Sequence, residues 1–358
     1  MAKVRDMFPG GNTAEGFYSY YDYIIEKDAN RKIVIKGGPG VGKSSLMKKI
    51  GAEMLDRGYD IELHHCSSDN ESLDGLVIPK LRVAFLDGTA PHVVDPVNPG
   101  AVDEIINLGN YWNFENMEKD KNDIIRCNKE VGRLFKRAYK YLAAAKYSYE
   151  TIEDKNKEAL EFGLSNVVCD TLIKEIFCGQ DPSVIQGEQR HMFGSAYTPN
   201  GWIEYTESFL QDAERVYFLK GDIGTGKTTI MRKVYKRAIE LGYFVEVYHT
   251  PLKPHKIESI YIPKLKVSLT SSNSYRTNNF KVIDLESFLV EDIVSKYQKE
   301  IEADRKIFEF LISTAISNIS TAKKMHDIME KYYIPNMDFE QVDKLRERLI
   351  QRILKYEK

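Results

Sequence analysis

The chain has 358 residues, 42% of them apolar, with 51 basic and 53 acidic side chains and a formal net charge of −2. This length suits two domains with real cores, and the lack of a basic excess argues against a dedicated nucleic-acid binder. No apolar run approaches the roughly 18 residues of a membrane span, no secretory leader is evident, and the four cysteines show neither CxxC nor zinc spacing, so the expectation is a cytoplasmic protein with reduced thiols and no membrane partner.

The first segment, Arg5 to Phe17, carries Arg-x-Met-Phe followed by Thr-x-x-Gly-aromatic. Its plainest reading is a helix start with Thr13 as cap and aromatics packing beneath. An apolar strand, Lys32 to Lys36, follows and runs into Gly37, Gly38, Pro39, Gly40, Val41, Gly42, Lys43, Ser44 and Ser45. A helix, Ser44 to Arg57, leaves this loop and stops at Gly58. The spacing G-x-x-x-x-G-K-[ST] has a mechanical reason. Glycines let successive N–H groups turn inward toward a phosphate, and the helix adds its positive end. Lys43 would reach the β- and γ-phosphates and Ser44 would offer its hydroxyl to Mg²⁺. With a strand in and a helix out, the loop points to a nucleoside triphosphate, and ATP with Mg²⁺ is the expected ligand.

A second strand, Asp60 to His64, leads to His64-His65-Cys66. Neighbours on a strand face opposite ways, which argues against a metal shared by the two histidines. A polar connection containing Asp69, Glu71 and Asp74, candidates for a base or an acceptor site, reaches a third strand, Leu81 to Leu86. Asp87 ends that strand and is the candidate acid for the magnesium shell. Gly88 stands where many ATPases place a catalytic glutamate. His92, in the next turn, is a candidate for orienting water or phosphate, and His92 to Val94 reads as a fourth strand. Beyond it Ile124, Val131, Leu134, Phe135, Ala138, Tyr139 and Leu142 recur at helical steps.

The plan then repeats. A shift of 184 carries the first loop onto Gly221, Asp222, Ile223, Gly224, Thr225, Gly226, Lys227, Thr228 and Thr229, and carries His65 onto His249 and Ile78-Pro79-Lys80-Leu81 onto Ile262-Pro263-Lys264-Leu265. Arg5, Met7, Phe8, Thr13, Gly16 and Tyr20 match Arg190, Met192, Phe193, Thr198, Gly201 and Tyr205. The reading is a tandem duplication, with domains at 1–185 and 186–358 joined near Gly179 to Gln189. The expected fold is α/β: two duplicated P-loop NTPase domains, each a parallel sheet flanked by helices with a helical extension. By analogy with such ATPases, Phe8, Thr13, Phe193 and Thr198 are candidate adenine contacts. Arg5 and Arg190 are candidates to reach the other half's phosphates.

The halves differ. Ser271 falls opposite Asp87, Asp284 in the second half aligns with Asp95 across an insertion, and Asp222 would repel phosphate. The catalytic candidates are therefore Lys43, Asp87 and His92, with Ser44 and Asp87 holding the metal. The second loop, with Thr228 as its metal hydroxyl, is expected to bind or regulate.

The motifs GGPGVGKSS, SSDNESLDG at Ser67 to Gly75, DGTAPHVVDP at Asp87 to Pro96 and GDIGTGKTT resemble an uncharacterised bacterial family of tandem P-loop proteins. That family is described only as ATPase, ATP-binding protein or nucleotide kinase, and the resemblance spans the chain. It implies the fold and the nucleotide but names no substrate. The first loop also looks like those of the AAA family, without its sensor motifs. The expected function is a Mg²⁺-dependent ATPase acting on an unidentified protein partner or small molecule. The alternatives are a nucleotide or small-metabolite kinase, with Ser67 to Asp74 as acceptor site, and a non-enzymatic nucleotide-dependent switch.

Overall fold

The structure, a computed structural model, describes residues 2–90, 93–274 and 280–357. The first half lays down β1 (Val4–Met7), a hairpin of β2 (Gly10–Thr13) and β3 (Gly16–Ser19), β4 (Arg31–Lys36), helix α1 (Lys43–Asp56), β5 (Ile61–Cys66), β6 (Asp69–Ile78), β7 (Val83–Asp87) and β8 (Asp103–Asn107). Helices α2 (Phe114–Lys119), α3 (Lys121–Ala159) and α4 (Phe162–Ile176) follow. The second half gives β9 (Gln189–Phe193), a hairpin of β10 (Ser195–Thr198) and β11 (Gly201–Glu204), α5 (Thr206–Leu210), β12 (Arg215–Lys220) and α6 (Lys227–Glu240). It continues with β13 (Val245–His249), β14 (Ile257–Ile262), β15 (Val267–Thr270), β16 (Phe280–Asp284), α7 (Glu291–Tyr333) and α8 (Phe339–Ile353).

Two six-stranded sheets result, ordered β1-β5-β6-β7-β4-β8 and β9-β13-β14-β15-β12-β16, the same order position by position. The β-branched run Ile33-Val34-Ile35 is wholly buried in β4, as a strand covered on both faces demands. Both sheets are mixed, not parallel as expected, because β6 and β14 each run antiparallel to both neighbours. The sequence hid β6 behind its polar start, Asp69 to Ser72; Leu73, Leu76, Val77 and Ile78 behind it are buried core.

Two further expectations are corrected. The fourth strand expected at His92 to Val94 is supplied instead by β8, which pairs in parallel with β4; His92 lies outside the described residues, and Val93 is 64% exposed. Asp284 therefore corresponds in the sheet to Asn107, each accepting a backbone N–H two residues on, rather than to Asp95. The N-terminal segment is no helix start. Thr13 Oγ1 donates to the Gly16 carbonyl at 2.7 Å and accepts from the Glu15 amide at 2.9 Å, closing the β2–β3 hairpin; Thr198 closes β10–β11 in the same way. Gly16 at φ +96° and Gly201 at φ +97° make those turns possible.

The halves meet around a pseudo-twofold point where Phe8 and Phe193 exchange both backbone hydrogen bonds at 3.0 Å. The two long helices α3 and α7 lie antiparallel. Ser148 Oγ donates to the Asp304 carbonyl at 2.8 Å, the Tyr297 hydroxyl meets Glu158 at 3.0 Å, and Ala138, Leu142, Ala145, Ala315 and Ile319 form a dry layer. At about 1.5 Å per residue, helices of 39 and 43 residues carry the chain past its own core. Each extension therefore completes the other half. Cys169, Leu172 and Ile176 of α4 enter the core of α6 and β12–β15, while Leu349, Ile350 and Ile353 of α8 enter that of α1 and β4–β7. Short straps seal both junctions, through Glu161 N to Phe288 O and Val290 N to Ala159 O, and through Asn113 N to Asn336 O and Asp338 N to Tyr111 O. Among the described residues no cysteine forms a disulfide and no helix is long and apolar enough to cross a membrane.

Candidate functional site

The first glycine loop leaves β4 and turns through Gly40 (φ +68°) and Gly42 (φ +90°), backbone that a side chain would strain, into α1. Lys43 opens that helix, and its Nζ donates to the carbonyls of Gly37 and Gly38, both at 2.8 Å. Asp87 ends β7, which pairs in parallel with β4 so that Ile35 faces Asp87. The Asp87 carboxylate lies 3.5 Å from Lys43 Nζ. Thr89 ties the two together: its amide donates to Asp87 Oδ1 at 2.8 Å, and its hydroxyl donates to the Gly37 carbonyl at 2.9 Å. Ser44 Oγ accepts from the Leu73 amide at 3.0 Å, Ser45 is exposed, and Val41 anchors the loop in the core. The structure thus brings Lys43, Ser44 and Asp87 to one loop. His92 lies outside the described residues.

The second loop copies this geometry and loses its acid. Gly224 (φ +86°) and Gly226 (φ +91°) make the turn. Lys227 Nζ donates to the Asp222 carbonyl at 2.6 Å, and Thr228 Oγ1 donates to the Ile257 carbonyl at 3.1 Å. Where Asp87 would stand, Ser271 is bound to the Glu258 carbonyl at 3.1 Å. Burial and the neighbouring Lys256 pull the Lys227 ammonium down to about 8. The Asp222 carboxylate pairs with Arg305 of α7 at 2.5 Å and accepts from the Ile223 amide of the loop at 2.7 Å.

Each loop is covered by the other half, a feature no sequence motif announced. A β-carbon at Gly38 would collide with the Tyr333 ring. One at Gly40 would lie 2.9 Å from Ile334, and one at Gly42 would lie 3.3 Å from Phe339. On the second loop, a β-carbon at Gly224 would stand 2.5 Å from the Glu153 carbonyl, and Asn156 Nδ2 donates to the Ile223 carbonyl at 2.7 Å. The only trace in the sequence is the match of Glu161-Phe162 after α3 to Asp338-Phe339 after α7. Beside the first loop, α7 also presents His326, Asp327 and Glu330 with ligand atoms within 4.8 Å of one another, and Lys323 is paired with Asp327 there.

Several candidates prove structural. Arg5 and Arg190 reach no loop. They cross into a buried cluster with Glu62 and Glu246, Arg190 bonding Glu62 at 2.6 Å and Arg5 bonding Glu246 at 2.5 Å. Phe8 and Phe193 are fully buried at the pseudo-twofold point, and Thr13 and Thr198 are locked in hairpin turns, so none of the four lies open to a base. His65 pairs with Asp6 at 2.8 Å on β5, which β6 and β7 separate from the loop strand. His249, its counterpart, meets His191 at 2.8 Å. Asp69 accepts from the Ser72 hydroxyl and lies near Lys323, while Asp74 is buried in β6. Comparison with family models, with curated proteins and with solved structures finds no match.

Proposed function

We propose that the chain is a tandem P-loop protein that binds ATP with Mg²⁺ at both loops and hydrolyses it at the first. The observation that carries this reading is the juxtaposition of Lys43 with Asp87 at 3.5 Å, on adjacent parallel strands, beneath a loop with left-handed glycines. The donor set fits the ligand. Loop amides and the start of α1 suit phosphate oxygens, and the ammonium of Lys43 can leave carbonyl partners for a stronger anion. Ser44 and Asp87 would hold Mg²⁺, which when bound neutralises charge developing on the phosphoryl oxygens. Lys43 would orient the β- and γ-phosphates, and His92 is the candidate to orient water. The second loop, with Ser271 in place of the acid, would hold nucleotide without turning it over. The strand-by-strand match of the two sheets supports the duplication that the sequence repeat suggests, and ATP chemistry suits a cytoplasmic protein.

A switch reading has its own support, because Tyr333, Ile334 and Phe339 of the second half lie on the first loop. Nucleotide there would act directly on the crossing helices.

The test is ATP turnover without an added acceptor. Lys43→Ala is expected to lower it by two orders of magnitude or more while Lys227→Ala retains it; the reverse pattern overturns the ranking of the sites. Turnover that appears only with a pool of metabolites would favour a kinase, and tight binding without any turnover would favour the switch.

A further inference from the structure

The two loops are covered by equivalent parts of the chain, but the covers differ in chemistry. The straps set the equivalence, since Trp112 bridges to Met337 at the first loop as Leu289 bridges to Leu160 at the second. At the second loop the atoms against the glycines are polar or aliphatic: Asn156 bonds the loop carbonyl, and Leu160 and Ser165 lie beside Gly226, while Phe162, the counterpart of Phe339, is 61% exposed. At the first loop it is aromatic. Tyr333 lies on Gly38 and Phe339 on Gly42, on either side of Gly40. The Trp112 ring lies 5.9 Å from Tyr333 and 5.6 Å from Phe114.

Docking a crossing helix does not require Tyr333, Trp112 or Phe114, because the second loop docks its helix with Asn156, Leu289 and Glu291 in their places. Nor does the core absorb them all. Phe114 is 64% exposed, Ile334 45% and Phe339 41%, an apolar patch beside a glycine loop that carries a lysine. We propose that this patch is the base subsite of the first loop. The planar heterocycle of a purine nucleotide stacks against Tyr333, Phe339 and Phe114 while its triphosphate occupies Gly37 to Ser44. The inference rests on the nucleotide reading above and adds to it that the first half supplies the phosphate cradle and the second half most of the base site. Stacking on aromatic faces tolerates either purine. The second loop, which keeps only Phe162 of this set, holds its ligand through phosphate.

The chain has two tryptophans, so Trp202→Phe leaves Trp112 as a reporter beside the patch. In that protein Mg-ATP is expected to change Trp112 emission, whereas Mg-tripolyphosphate, which has no base, leaves it nearly unchanged while displacing ATP in competition. Phe114→Ala removes an exposed side chain that the fold does not need, and Tyr333→Leu keeps apolar cover. Each is expected to weaken ATP about tenfold with tripolyphosphate competition unaltered, and Tyr333→Phe to restore ATP. Equal weakening of both ligands, or no weakening of ATP, overturns the proposal. If wild-type protein binds neither ligand, the nucleotide reading itself fails and this inference with it.

Discussion

Lys323, on the crossing helix α7, lies 3.5 Å from Asp69 of the first half, and Lys253, which stands in the second half where Asp69 stands in the first, lies 2.9 Å from Glu153 of α3. The core-side charge has changed sign between the two sites, and each finds an opposite charge on its crossing helix. Each contact thus ties a crossing helix to the core of the opposite half. Asp69→Lys should destabilise the chain, and adding Lys323→Glu should recover the loss. For partly exposed pairs the coupling should be about 0.5–1 kcal/mol, measured as a double-mutant cycle in urea. Additive effects would show that the pair does not help direct the crossing.

The Arg5, Glu62, Arg190 and Glu246 cluster sits where the halves meet. Burial alone would raise the Glu62 carboxyl, but Arg190, His64 and Arg5 hold it well below the usual carboxylate range. Arg190→Leu would leave Glu62 buried with weakened compensation, and removing one partner of a buried pair costs about 3–5 kcal/mol. Urea unfolding followed by circular dichroism should register a loss of that order, and a change under 1 kcal/mol would mean the cluster relaxes into water.

Glu258 is buried in β14 and accepts from Ser195 Oγ at 2.8 Å. Burial, helped by Glu204, pushes its carboxyl up to about 8. The folded chain therefore keeps a proton that the unfolded chain releases near its ordinary value of 4.5. Between those values the native state binds more protons, so stability falls as pH rises through the window, by at most about 1.4 kcal/mol per pH unit. Glu258→Gln should flatten this slope in unfolding free energies measured from pH 5 to 8.

Lys227 is held down to about 8 by burial and by Lys256. Below that pH it is charged and ready for phosphate; above it, binding an anion must first take up a proton. Triphosphate affinity at the second loop should thus fall as pH rises beyond 8, by up to about tenfold per unit. Calorimetry on a Lys43→Ala chain, in buffers of different ionisation enthalpy, should also show proton uptake there. A flat profile with no proton uptake would count against a lysine so depressed.

Short-range chemistry was legible in the sequence. Glycines at Gly40 and Gly42 are read directly because only a residue without a β-carbon takes that backbone easily, and Lys43 with Ser44 follows at fixed spacing at the start of a helix. Asp87 was legible as the end of an apolar run, and β-pairing then placed it beside Lys43. Where polarity masks burial, the sequence misleads: β6 begins with Asp69-Asn70-Glu71 and reads as a connection, and His92 to Val94, with Val93 exposed and Val94 half-buried, reads as the strand that Asp103 to Asn107 forms.

The amino-acid order by itself determined the two loops, their inequality at Asp87 and Ser271, and the repeat, because these depend on backbone sterics and on residues close in the chain. Only the tertiary structure decided that α3 and α7 cross, that Arg5 and Arg190 stabilise the junction instead of a loop, and that Tyr333 and Phe339 lie on Gly38 and Gly42. Those outcomes depend on which of two similar cores a long helix reaches, a choice set by packing and charge between residues hundreds of positions apart.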